Sequence, residues 1–149
     1  MHLIIMRHAE AAPGFPDEQR QLTAYGLSTL AKAPLQLRAE LRQVDHVFVS
    51  PYLRTRQTFE RLETGLRCQI SESLTPDSDP EQVCELLQTL PLDSTAFLVT
   101  HMPLVGWLSG YLQEGPLTLG SSFYPAQVEI LEMDVPAAGL AKRVAGYEL

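Results

Sequence analysis

His2-Leu3-Ile4-Ile5-Met6-Arg7 is the stretch that sets the fold. Four apolar residues run without a polar break and stop at a charge. A strand with one solvated face alternates apolar and polar residues, so an unbroken run marks a strand covered on both faces, as in parallel sheets. Parallel strands need crossover connections, and the rest of the chain supplies them. Val44–Val49, Cys68–Ile70 and Ala96–Thr100 are further short apolar runs, separated by stretches of helical spacing. Thr23 suits an N-cap ahead of Leu27, Leu30, Ala31 and Leu35, and Pro34 predicts a helix kinked or divided at that point. Ser50-Pro51 reads as an N-cap followed by proline at the first helical position, opening a helix that stops at Gly65. Asp79-Pro80 repeats that signal, with Val83, Leu86, Leu87 and Leu90 as the apolar face. Pro103 precedes a short helix carrying Leu104, Trp107, Leu108 and Tyr111. Ala126–Met133 and Lys142–Leu149 read as two strands joined by a Pro-Ala-Ala-Gly turn. The alternation predicts an α/β three-layer sandwich, a mostly parallel central sheet with helices on both faces.

The 149 residues fit one domain, with no repeat, low-complexity segment or linker to divide 1–149. Hydrophobic residues at 45% against 19% charged exclude a disordered chain. Eleven basic and 18 acidic residues give a net charge of −7, and no Lys/Arg run offers a footprint for nucleic acid. An anionic ligand must then be held by a local basic site against the global field, which makes each clustered Arg or His informative. The apolar runs are too short for a signal-peptide core or a membrane span, so the expectation is a cytoplasmic protein that touches no membrane. Cys68 and Cys84 have neither metal-ligand spacing nor the look of a disulfide framework, and both are expected to be buried thiols. A monomer is the default for this size.

Basic residues cluster where predicted strands end. Arg7 and His8 follow the first strand, Arg54 lies in the first turn after the second, and His101 follows the fourth. In open α/β sheets ligands bind outside the carboxyl ends of the strands, so these side chains converge on one crevice. Arg54 and His101 also stand beside helix N-termini, whose free N–H groups favour an anion. The residue types suit phosphoryl transfer. Arginine forks bind phosphate oxygens bidentately, a neutral imidazole can attack phosphorus, and a second imidazole, if protonated, can donate to the oxygens or the leaving group. No metal and no cofactor is needed. Singly, each residue has an ordinary structural reading, as a polar loop residue or an exposed helix charge; their shared placement is what points to an anion site.

Four motifs add a resemblance. Leu3-Ile4-Ile5-Met6-Arg7-His8-Ala9-Glu10, Arg20-Gln21-Leu22-Thr23-Ala24-Tyr25-Gly26, Ser50-Pro51-Tyr52-Leu53-Arg54-Thr55-Arg56-Gln57-Thr58 and Leu98-Val99-Thr100-His101 occur in that order across residues 3 to 101. Together they resemble the histidine phosphatase superfamily, also called phosphoglycerate mutase-like. The short length and His101-Met102-Pro103-Leu104-Val105-Gly106 are most similar to its SixA-type phosphohistidine phosphatase branch, which has no inserted helical cap. The resemblance implies a phosphatase with His8 as phosphorylated nucleophile, Arg7 and Arg54 as phosphate clamps, His101 as second histidine and Arg20 near the pocket rim.

Two positions depart from the pattern. Ala9 replaces the usual glycine after Arg-His, which a backbone without positive φ tolerates. Ser73 stands where many relatives carry a glutamate that protonates an alkoxide leaving group; Glu72, Asp77 and Asp79 are nearby, but read better as solvated loop acids and a helix cap. Imidazole, with a pKa of about 6.5, leaves far more readily than an alkoxide, so the gap favours phosphohistidine on a protein. The rival readings are a phosphatase of small phosphate esters and, from another class, an inactive module that binds phosphoproteins through the same crevice.

Overall fold

The computed structural model describes residues 1–149. Its strands are β1 (His2–Arg7), β2 (His46–Val49), β3 (Gln69–Ile70), β4 (Thr95–Thr100), β5 (Gln127–Glu132) and β6 (Lys142–Glu148). They form one sheet in the order β3-β2-β4-β1-β5-β6. β1 pairs in parallel with β4, β4 with β2, and β2 with β3, while β5 runs antiparallel to β1 and to β6. The sheet is therefore largely parallel, and the C-terminal strand pair forms its antiparallel side.

The unbroken apolar run of β1 is buried on both faces, as its sequence demands. Ile4 and Met6 lie in one core with Val47, Val49, Phe97 and Val99. That face is covered by α1 (Ala24–Ala31), α2 (Leu35–Leu41) and α3 (Leu53–Arg61) through Leu30, Leu37, Leu41 and Phe59. Leu3 and Ile5 lie in the other core with Phe48, Ala96 and Leu98, under α4 (Pro80–Gln88) and α5 (Leu104–Glu114). Phe97 is fully buried, so its truncation to alanine would cost about 3–5 kcal/mol.

Pro34 divides the first helical stretch, standing just ahead of α2. Thr23 caps α1, its hydroxyl accepting from the Gly26 N–H at 2.9 Å. Gly26 is needed for a close approach: a Cβ there would stand 2.4 Å from the Glu10 carbonyl oxygen. That carbonyl accepts from the Thr23 N–H at 2.9 Å, and Ala12 N–H donates to Gln21 at 2.8 Å, so the loop after β1 is closed on itself.

Three expectations need correction. The helix after β2 begins at Leu53, later than Ser50-Pro51 predicts. The Ser50 hydroxyl is committed to another partner, and the Ser50 and Tyr52 carbonyls accept instead from the Thr55 hydroxyl, at 2.9 and 2.7 Å. That helix also ends before Gly65, because Glu63 already has φ 51° and breaks the helical path. Cys84 is buried but Cys68 is only half-buried, because it precedes the two-residue edge strand β3. No helix is long and apolar enough to cross a membrane.

Candidate active site

Sheet register brings the site together. Arg7 stands opposite Thr100 in the β1–β4 ladder, and the His8 N–H donates to the Thr100 carbonyl at 3.0 Å. Val49 stands opposite Val99 in the β2–β4 ladder, and the Ser50 N–H donates to the Val99 carbonyl at 3.1 Å. Three parallel strands thus finish level, and the residues that follow them, His8, Ser50 and His101, become neighbours.

His8 is buried and held in one protonation form. Its Nδ1 lies 2.7 Å from the Ala9 carbonyl oxygen, which can only accept, so Nδ1 carries the proton. Its Nε2 lies 3.2 Å from Arg54 Nε, which can only donate, so Nε2 carries the lone pair. Burial pushes His8 down to about 4; the Ala9 hydrogen bond opposes this, and Arg54, Arg7 and Arg20 reinforce it. The ring is therefore neutral at neutral pH. Thr58 completes a closed circuit: its hydroxyl accepts from the Ala9 N–H at 3.1 Å and donates to the Arg54 carbonyl at 2.7 Å. Ala9 is fully buried and is not among the residues of positive φ, which is why its methyl group is accommodated.

Arg54, on the first turn of α3, is also buried. Its two terminal nitrogens donate to Asp17, one to the backbone carbonyl at 2.7 Å and one to Oδ2 at 3.1 Å. The guanidinium lies 5.0 Å from the centre of the Tyr52 ring. Arg20 donates to Ala12 O at 2.9 Å and to Asp17 Oδ1 at 3.1 Å, so the Asp17 carboxylate bridges both arginines. Burial alone would raise the Asp17 carboxyl, but the hydrogen bonds from Arg20 and Arg54 outweigh it and hold the group below its usual range. Arg20 is thus half-buried and one carboxylate removed from Arg54.

Arg7 donates to the Phe123 carbonyl at 2.7 Å, while its Nε is buried without a partner. Burial and then Arg54 hold its pKa below the usual arginine value. His101 is 1% exposed, and its Nε2 lies 2.7 Å from Ser50 Oγ. Its Nδ1 has no partner. The ring meets His8 edge-on at 5.2 Å and Tyr52 at 5.0 Å. Burial, then His8 and the three arginines, pushes His101 down to about 2, so in the resting site it is neutral rather than protonated.

His8, Arg54 and His101 come together as the sequence predicted, with Arg7 at the same strand ends. Glu72, Asp77 and Asp79 are all exposed. Asp79 stands at the N-cap of α4, its N–H donating to Gln82 Oε1 at 2.9 Å. No cluster of three or more His, Cys, Asp or Glu side chains suited to a metal ion occurs. Four participants escaped sequence reasoning. The sequence marks Ser50 as a cap and assigns Thr58 no role, though both lie in the motif that carries Arg54. Asp17 and the Phe123 carbonyl gave no signal; the latter is a backbone atom 116 residues from Arg7.

The chemical character is unusual for a chain of net charge −7. Two arginines and two neutral imidazoles meet in a buried place, and the unpartnered polar atoms belong to Arg7 and His101. Buried polar groups are nearly always satisfied, so such orphans are expected where a ligand completes the site. An anion with several oxygens suits them.

No family model matches the chain. The phosphohistidine phosphatase SixA of Escherichia coli K12 is 33% identical over 122 residues, covering 77% of this chain and 76% of that protein. The structure of the protein histidine phosphatase SixA complexed with tungstate superposes with a TM-score of 0.82 at 28% identity, over 98% of this chain and 96% of that one. A phosphoserine phosphatase of Entamoeba histolytica in complex with 3-phosphoglyceric acid shares the fold, with a TM-score of 0.73 at 14% identity over 99% and 97%. By its identity to the Escherichia coli protein and the share of both chains that the match covers, the chain belongs to the SixA family of histidine phosphatases.

Proposed function

We propose that the chain is a phosphohistidine phosphatase that works through a phosphorylated His8. The observation that carries this reading is the state of His8: neutral, with Nδ1–H tied to the Ala9 carbonyl and the lone pair on Nε2. In the first step Nε2 forms a bond to phosphorus and the bond from phosphorus to the substrate imidazole breaks. The substrate ring, protonated on its other nitrogen, leaves as neutral imidazole, and the electron pair of the broken bond becomes the lone pair of that nitrogen. In the second step water attacks the phospho-His8 phosphorus; the P–Nε2 bond breaks, and inorganic phosphate and neutral His8 are restored. Arg7 and Arg54 neutralise the phosphoryl oxygens in both steps, and His101 donates to one of them. A phosphoryl dianion reaching the Arg54 fork replaces the Asp17 carboxylate, which makes the same kind of contact in the resting site.

The leaving group favours a phosphoramidate. Asp17, the carboxylate that touches Arg54, is half-exposed and held ionised by Arg54 and Arg20, which makes it a poor acid. An alkoxide needs a proton donor, whereas imidazole leaves as a much weaker base. Residues 1–149 are read as one domain without an inserted cap. In support, each of the five helices places residues in one of the two sheet-face cores. An open crevice suits a histidine presented by a folded protein, and the chain is read as acting on such proteins as a monomer.

The test is release of inorganic phosphate from a phosphohistidine-bearing protein compared with a panel of sugar, nucleotide and serine phosphates. The expected result is kcat/KM for the phosphoprotein at least tenfold above any ester. A sugar or nucleotide ester as the better substrate would overturn the assignment and reinstate a small-ester phosphatase. Phosphate binding without release from any of them would leave a phosphoprotein-binding module.

A further inference from the structure

We propose that Ser50 is a positioning residue: its hydroxyl donates to Nε2 of His101, fixing that ring as the Nδ1–H tautomer so that a neutral histidine presents a hydrogen to the phosphoryl group. The inference rests on His101 as an oxygen donor in the function proposed above. It adds how a ring that burial keeps unprotonated can still donate.

A hydrogen-bond inventory distinguishes the two neutral tautomers. Ser50 is fully buried, and its Oγ lies 2.7 Å from His101 Nε2. The same oxygen accepts from the Tyr52 N–H at 3.4 Å. If His101 carried its proton on Nε2, that N–H would donate to Ser50 Oγ. The serine proton would then have no acceptor, and Nδ1 would be a buried lone pair without a donor. A lone pair among phosphoryl oxygens would repel them. With the proton on Nδ1, the serine hydrogen goes to Nε2, the serine oxygen takes the Tyr52 N–H, and one group is left over, an Nδ1–H donor. The other orphan of the site, Arg7 Nε, is also a donor. Both unsatisfied atoms then have the same sense, and one anion completes them together.

The assignment matches the way an imidazole tautomer is set in general, by the hydrogen bond that its other nitrogen makes. His8 shows the same device with a different partner, the Ala9 carbonyl, which leaves its lone pair on Nε2. One ring is thereby kept as acceptor and nucleophile, the other as donor. The main-chain positions differ accordingly. His8 relies on a backbone carbonyl that no substitution removes, whereas His101 relies on a side chain that one substitution removes. The Ser50 hydroxyl has no other side-chain partner among the hydrogen bonds of the protein.

The decisive measurement is the long-range 1H–15N spectrum of the ligand-free, uniformly 15N-labelled protein at pH 7. His101 Nε2 is expected at the high-frequency position of an unprotonated acceptor nitrogen and Nδ1 at that of an N–H. In Ser50→Ala this pattern should be lost in favour of the Nε2–H form or a mixture, and kcat should fall by about 10–100-fold, the usual cost of removing the partner that orients a functional imidazole, with KM little changed. Ser50→Thr, which keeps the hydroxyl, should restore the wild-type ring pattern and most of kcat. A wild-type spectrum showing His101 as the Nε2–H tautomer would overturn the proposal whatever the variants do, and so would a Ser50→Ala protein with unchanged kcat. The spectrum is indifferent to the substrate: a wrong tautomer with phospho-His8 still forming removes the role of Ser50 alone, and a correct tautomer without phospho-His8 removes the proposed function alone.

Discussion

Two buried polar clusters of this protein can be set side by side. One joins β5 to α5: Ser109 donates to Glu129 Oε2 at 2.6 Å, Gln113 donates to the Ser109 hydroxyl at 2.8 Å, and Arg143 stands 3.6 Å from Glu129 Oε1. None of its buried side-chain atoms lacks a partner. The other joins the ends of β1, β2 and β4, and leaves Arg7 Nε and His101 Nδ1 open. The first cluster closes on itself around a buried carboxylate; the second, whose carboxylate is the half-exposed Asp17 on Arg54, brings arginines and neutral imidazoles together and stays open. A buried donor without an acceptor costs free energy comparable to a lost hydrogen bond. A fold that satisfies one cluster completely has no packing reason to leave the other unsatisfied. The difference separates a group kept for structure from the group to which the proposed function assigns a ligand.

Substitutions should therefore affect the two clusters in opposite ways. The largest effect belongs to His8. His8→Ala should abolish turnover, a loss on the order of 10⁴-fold or more, as for other nucleophiles that act in a unit, while thermal unfolding stays cooperative. Steady-state phosphate release against a melting curve checks both halves; substantial residual turnover would remove the covalent mechanism. Next come the clamps. Arg7→Ala and Arg54→Ala should each lower kcat/KM by about 10²–10³-fold, the cost of losing one donor to developing charge. Tungstate, an oxyanion of the same shape, should raise the melting temperature of the wild type and not of Arg7→Ala, because it completes the open donors. An equal rise in both would show that the orphaned Arg7 Nε is not part of the anion site.

Ser109→Ala is the control for the closed cluster. It should cost about 1–3 kcal/mol of stability by leaving Glu129 short of a buried hydrogen bond, and should leave kcat/KM unchanged. Urea unfolding with activity measured on the same sample tests this, and a loss of activity without a loss of stability would erase the contrast.

The same contrast explains what could be read in the sequence. The apolar run of β1 dictated a strand buried on both faces, and from it the three layers and the parallel neighbours followed. His8, Arg54 and His101 were legible because each is a chemically distinctive side chain just beyond such a strand. Their partners were not. The Ala9 and Phe123 carbonyls are backbone atoms that every residue carries, so no residue type announces them. Ser50 was misread for a physical reason: serine before proline is a common helix start, and only the register of β2 against β4 shows that its hydroxyl meets His101 first. Asp17 lies in a Pro-rich loop where an acid is ordinary, and only the folded loop turns its carboxylate toward two arginines.

The smallest effect is on pH dependence. Both histidines are held below the usual value of about 6.5, His8 at about 4 and His101 at about 2. Between those values and 6.5 the unfolded chain binds protons that the folded one refuses, so stability falls as the pH drops through that window. For His8 the loss from pH 7 to pH 5 amounts to about 2 kcal/mol, and His8→Ala should lack that share. Urea midpoints of the two proteins at pH 7 and pH 5 give the difference directly; equal losses would mean that His8 titrates as an ordinary surface histidine.

The most direct measurement is mass spectrometry of the protein mixed with a phosphohistidine-bearing protein and quenched in alkali, with His8→Ala alongside. The prediction is a transient phosphate on the peptide that contains His8, absent in the variant and lost to water as inorganic phosphate accumulates. Phosphate released at full rate with no label on that peptide, or with the label on His101, would contradict His8 as the nucleophile.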